Sequence, residues 1–151
     1  MISILLLPEP LRAQLGEQAR SAFPRECCGL VEGVVSGTAA QATALHAMPN
    51  LASAPDRFEI DPAAHIALLR RLRETGSGIV GCYHSHPNGS AEPSARDRES
   101  ASEEGFVWLI AALDAQRREK PRIAAFVSAG SAFAPLRIAS HPLDRVAARS
   151  V

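Results

Sequence analysis

The chain has 151 residues, 46% of them hydrophobic, with 16 basic residues balancing 16 acidic ones. That length and apolar fraction suit one domain with its own buried core. The zero net charge argues against a protein built to sit on nucleic-acid phosphates or an anionic membrane surface.

The first apolar run, Ile2 to Leu7, has no Lys or Arg before it and is ended by Pro8, so it reads as a strand and not as a leader peptide. From Pro8 and Pro10 to Phe23, Leu11, Leu15, Ala19 and Phe23 recur at every fourth position, which predicts an amphipathic helix. Gly29 to Val35 and Gln41 to Met48 flank a Ser36-Gly37 turn signal and read as a strand pair. Phe58 to Ile60 is a short extended piece. Asp61-Pro62 then starts a helix running to about Thr75, with the aspartate as N-cap and the proline in the first turn. Gly78 to Tyr83 reads as a buried strand leading into a polar loop, and a further helix begins at Ser94. Phe106 to Leu113, Ile123 to Ser128 and Phe133 to Ala139 are three more strands. Residues 1–140 therefore read as a single domain and 141–151 as a C-terminal tail, with no internal repeat or long linker. The irregular alternation predicts an α/β or α+β layer fold with a mixed, mostly antiparallel sheet. Nowhere do about 18 uncharged apolar residues run together, as a membrane-spanning helix needs. Three cysteines, two of them adjacent at Cys27 and Cys28, cannot form the even, spaced framework of a secreted disulfide scaffold. The expectation is a cytoplasmic protein without a membrane or nucleic-acid partner.

Chemistry concentrates in Gly81-Cys82-Tyr83-His84-Ser85-His86-Pro87. Side chains alternate along a strand, so His84 and His86 project to one side, and Pro87 ends the ladder with both imidazoles at its edge. Seven residues separate His86 from Ser94, a helix N-cap candidate that places Asp97 in the first turn. Two imidazoles and a carboxylate leave one tetrahedral position open, the pattern of a catalytic rather than a structural zinc. Cys82 alternates onto the same face; a Cys82-His84-His86 set ranks below Asp97 because a small cysteine inside a buried strand is usually core. Ser94-x-x-Asp97 by itself also reads as a plain helix cap. Cys27 and Cys28 point opposite ways along a strand and make a poor chelate. His46, His65 and His141 lack partners at ligand spacing, and Trp108 reads as core.

Glu26-Cys27-Cys28-Gly29-Leu30-Val31-Glu32-Gly33, the His84-Ser85-His86-Pro87 run, Ser94 and Asp97 together resemble the JAMM (MPN+, Mov34/MPN) zinc metalloproteases. Asn50, Phe58-Glu59-Ile60-Asp61 and the helix that follows extend the likeness to the small bacterial members. The resemblance implies an α/β/α sandwich similar in outline to cytidine deaminases. It also implies one zinc per chain on His84, His86 and Asp97, Glu26 as acid and base, and Ser94 as a donor to the reacting carbonyl. It further implies a protein or peptide substrate cut at a peptide or isopeptide bond, with the C-terminus of a ubiquitin-like sulfur carrier the leading candidate. Family members with an incomplete ligand set act as protein-interaction scaffolds, the chief rival reading. A zinc nucleobase deaminase would need His-x-Glu and a downstream Pro-Cys-x-x-Cys, and neither occurs.

Overall fold

The computed structural model describes residues 1–140. In chain order the elements are β1 (Ile4–Leu6), α1 (Glu9–Ala22), β2 (Cys28–Ser36), β3 (Ala39–Met48), α2 (Pro62–Leu72), β4 (Gly78–His86), α3 (Ala95–Ser100), β5 (Val107–Ala112), β6 (Arg122–Ala129) and β7 (Ala132–Ala139). The strands and helices read from the sequence are all present, and the short extended piece Phe58 to Ile60 stays outside the sheet, with Ile60 in an isolated antiparallel bridge to Asn50. The predicted tail and His141 lie outside the described residues.

The strands join in the order β1-β3-β2-β4-β5-β6-β7 and close into a barrel. Pairings of β1 with β3, β1 with β7, and β4 with β5 are parallel; the remaining neighbours run antiparallel. The α/β class and the mixed sheet agree with expectation, but the open middle layer of a sandwich does not describe this sheet. The three-residue β1 lies between β3 and β7 and pairs with both, so neither end of the sheet is left as a free edge.

Strand alternation sorts the core onto two faces. Tyr83, Val107, Leu109 and Ala111 pack with Leu15 and Ala19 of α1. Cys82, Trp108 and Ile110 face the other way and pack with Leu30 and with Leu68 and Leu72 of α2. Leu15 and Leu68 are fully buried and each contributes about 2 kcal/mol of apolar transfer. α2 begins as predicted, with the Asp61 side chain accepting from the Ala63 amide at 3.0 Å. The Tyr83 hydroxyl donates to Gln18 of α1 at 2.6 Å, tying the helix to the strand that carries the two histidines. Gly29 is required over that ring, since a Cβ there would overlap the Tyr83 phenol.

Candidate metal centre

β4 runs to His86, so both histidines belong to the strand, and they point to the Cys82 face because they share its parity. β2 pairs antiparallel with β4 so that Cys28 stands opposite His84 and Leu30 opposite Cys82. Extending that register brings Cys27 to Ser85 and Glu26 to His86. The ladder ends in a modified form there: the Ser85 amide donates to the Cys27 carbonyl at 3.1 Å, and the Cys27 amide donates to Ser85 Oγ at 2.8 Å. Glu26 is 6% exposed, and one of its carboxylate oxygens forms, with the ring nitrogens of His84 and His86, a donor set within 4.8 Å.

Asp97 comes closer still. His84 Nε2 and His86 Nε2 are 2.9 Å apart and lie 3.1 and 3.2 Å from the Asp97 carboxylate. Asp97 is the third residue of α3, where it completes a capping box: the Asp97 amide donates to Ser94 Oγ at 3.0 Å and the Ser94 amide donates to Asp97 Oδ2 at 2.8 Å. The helix cap and the approach to the histidines are thus two uses of one carboxylate, and the cap holds the oxygens in place. His86 Nδ1 donates to the Ser90 carbonyl at 2.9 Å, so that in the neutral ring Nε2 is the nitrogen that carries the lone pair on the side of the site. The His84 ring is fully buried, stacks on Phe58 at 4.4 Å between centroids, and meets Trp108 edge-on at 5.9 Å; its Nδ1 has no hydrogen-bond partner among the described residues.

The charges divide sharply. Burial raises the Asp97 carboxyl, but hydrogen bonding to His84 and His86 outweighs it and holds the group well below the usual carboxylate range. Burial, reinforced by the nearby Asp97 and Asp56 carboxylates, pushes Glu26 up to about 7, with His86 the main opposing influence. Full burial depresses His84, which keeps it neutral, whereas Asp97 and the Ser90 carbonyl lift His86 against the effect of its own burial.

This arrangement fits a metal. Three donor atoms held 2.9–3.2 Å apart match the spacing of about 3.3 Å between neighbouring ligands of a tetrahedral zinc with bonds of about 2.0–2.1 Å. A fourth donor, the Glu26 carboxylate, stands one step further out. The four residues are buried, yet Glu26 and His86 line a 170 Å³ cleft with Ser94, Asp56, Glu92 and Pro93, so a substrate can reach them. Cys82 is 4% exposed in the apolar cluster with Leu30 and Trp108, where its thiol is driven up by burial. His46 pairs with Glu32 at 2.7 Å away from the site, and His65 lies on α2. Phe58 is the contact the strand-and-helix reading left without a role. Its sequence signal is weak, since only the fold brings the segment over His84.

Fold and site together define an α/β protein with a buried two-histidine, two-carboxylate centre at the end of a strand. The chain belongs to the prokaryotic homologs of the JAB domain, whose family model matches residues 8–126. It is 40% identical over 92 residues to a desampylase of Haloferax volcanii, covering 60% of this chain and 65% of that one. A probable TtuB-protein conjugate cleaving protease of Thermus thermophilus is 38% identical over 55 residues, 36% of this chain and 37% of its own. The aligned part of the chain thus spans less than two thirds of either relative. The solution structure of a protein from Desulfitobacterium hafniense superposes with a TM-score of 0.80 at 26% identity, over 90% of this chain and 92% of that one.

Proposed function

We propose that the protein is a JAMM-type zinc metallopeptidase that hydrolyses a peptide or isopeptide bond at the C-terminus of a ubiquitin-like protein, with a sulfur-carrier protein as the favoured substrate. The observation that carries this reading is the convergence of His84, His86 and Asp97 with Glu26 beside them at the floor of an open cleft. His84, His86 and Asp97 would hold one zinc per chain, because their donor atoms lie closest together and Asp97 stays ionised. The acting unit is residues 1–140. A cytoplasmic setting is in keeping with Cys27, Cys28 and Cys82, all free thiols. No described helix is long and apolar enough to cross a membrane.

Zinc, when bound, supplies Lewis acidity that makes a water acidic near neutral pH and polarises the scissile carbonyl. Glu26 takes the proton that the attacking water sheds as its oxygen bonds to the carbonyl carbon. It returns that proton to the nitrogen as the C–N bond breaks, giving a carboxylic acid and a free amine. A carboxyl group pushed up to about 7 by burial suits both halves of that transfer. The Ser94 hydroxyl, which accepts from the Asp97 amide through its lone pair, keeps its own proton to donate to the oxygen that gains charge.

The test combines metal analysis with cleavage of a probe, a ubiquitin-like domain ending in Gly-Gly whose terminal carboxyl is joined to the ε-amine of a fluorescent lysine peptide. Wild type is expected to carry about one zinc per chain and to release the peptide. Glu26→Gln should retain zinc and lose turnover, and His84→Ala should lose both. Metal-independent binding of the probe without release would favour the scaffold reading, and undiminished zinc in His84→Ala would overturn the ligand assignment.

A further inference from the structure

Asn50 sits two residues beyond β3 and uses every hydrogen-bonding position of its side chain. Its Oδ1 accepts from the Ala52 amide at 2.9 Å and the Glu59 amide at 3.0 Å, and its Nδ2 donates to the Arg57 carbonyl at 3.0 Å. These three bonds stay within the loop 50–60, which the Asn50–Ile60 bridge and the bond from the Leu51 amide to the Glu59 carbonyl already close. The fourth leaves the loop: Nδ2 also donates to the Glu26 carbonyl at 3.0 Å. An asparagine that only shaped its own loop would have no need of that bond. Arg25 adds a second tie, its guanidinium donating to the Ala52 and Ser53 carbonyls at 2.8 and 3.1 Å.

Glu26 lies before β2, outside the regular ladder, so its backbone depends on such ties for its orientation. Cys27 is held by Ser85, the residue between the two histidines, and the Glu26 carbonyl is held by Asn50. The same loop delivers Phe58 onto His84 and Asp56 to the cleft. One side chain therefore links the base, the loop over one histidine and the wall of the cleft.

We infer that Asn50 is a positioning residue of the reaction, fixing the Glu26 carboxylate relative to His86 through the Glu26 carbonyl and keeping loop 50–60 in step with it. The inference rests on the functional reading above. Its chemistry follows from the need to hold a proton-transferring group to within a fraction of an ångström, since a misplacement of about 1 Å can cost about 10²-fold in rate.

Asn50→Asp isolates the donor side of the residue: it keeps the two acceptor bonds to the Ala52 and Glu59 amides and loses both donor bonds, the one within the loop to the Arg57 carbonyl and the one to the Glu26 carbonyl. We expect zinc content equal to wild type, KM within about threefold, and kcat lower by about 10- to 100-fold on the lysine-peptide probe. Amide exchange gives a readout that needs no turnover. The Cys27 amide should exchange at least about 10-fold faster in Asn50→Asp while the Ala52 and Glu59 amides stay protected. If Asn50→Asp does not fold, Asn50→Ser, whose shorter hydroxyl cannot reach the Glu26 carbonyl, is measured in the same way. A kcat within about twofold of wild type, or an unchanged Cys27 amide, overturns the inference. A wild type that releases no peptide, with the exchange change present, sinks the proposed reaction and leaves the tether standing.

Discussion

Ser94 is where stability and catalysis can be pulled apart by substitution. Its Oγ accepts from the Asp97 amide at 3.0 Å as the N-cap of α3, and Ser94 lines the cleft together with Glu26 and His86. Ser94→Ala removes cap and donor together; losing such a cap costs about 1 kcal/mol, or about 3 °C in the melting temperature of a chain this long. Ser94→Gly removes the donor but costs the cap only a few tenths of a kcal/mol. Neither change touches the Ser94 backbone amide, which still donates to Asp97 Oδ2 at 2.8 Å, so both variants should keep zinc. If the hydroxyl stabilises the developing oxyanion, both should lose about 10²–10³ in turnover despite their different melting points, and Ser94→Thr should retain most of the activity. The assay is a thermal melt, a zinc determination and initial-rate cleavage of the lysine-peptide probe on all three variants. A Ser94→Gly protein that turns over within about threefold of wild type would refute the donor role and leave Ser94 as a helix cap alone.

Gly81→Ala should be strongly destabilising, because a Cβ there would meet the Val107 carbonyl carbon at 2.8 Å and Cβ at 2.7 Å and would overlap its carbonyl oxygen, forcing β4 from β5. A cost of about 1–3 kcal/mol or more in a urea titration is expected, with Gly78→Ala, which meets nothing within 4 Å, as the near-neutral control; equal midpoints for the two would refute the packing argument. Stability should also fall in alkali. Burial pushes Cys28 up to about 12 and raises Cys27, Cys82 and Tyr83 as well, so above about pH 9 only the unfolded thiols ionise. The stability is fully present below that pH and is lost as pH rises toward the folded-state values. Cys28 alone accounts for about 1.4 kcal/mol per pH unit over that window. A urea midpoint that stays flat from pH 8 to 11 would contradict the burial of these groups.

Much of the candidate site's geometry can be traced to short-range rules. Alternation along a strand puts His84 and His86 on one face, Pro87 ends that strand, and a serine three residues ahead of Asp97 marks a helix start. All of these act over a few residues, where backbone stereochemistry alone decides the outcome. The choice between a helix cap and a site at Asp97 could not be made locally, and in the structure the carboxylate caps α3 and also lies 3.2 Å from His86 Nε2. Glu26 carried no local signal of comparable strength, because it meets His86 only through the β2–β4 register, a pairing between segments far apart in the chain. Phe58 on His84 and the Asn50 bond to Glu26 are likewise long-range products of a loop folding back. The closed sheet was hidden for the same reason. Ile2 to Leu7 announces a strand by its composition, but hydrophobic pattern says nothing about partners, and only the packed chain places β1 between β3 and β7. The sequence by itself thus determined the element types, the apolar faces and the histidine–serine–aspartate constellation, which depend on neighbours within a few residues. The tertiary structure decided strand order, barrel closure and the meeting of Glu26 with the histidines, because those depend on which distant surfaces bury one another.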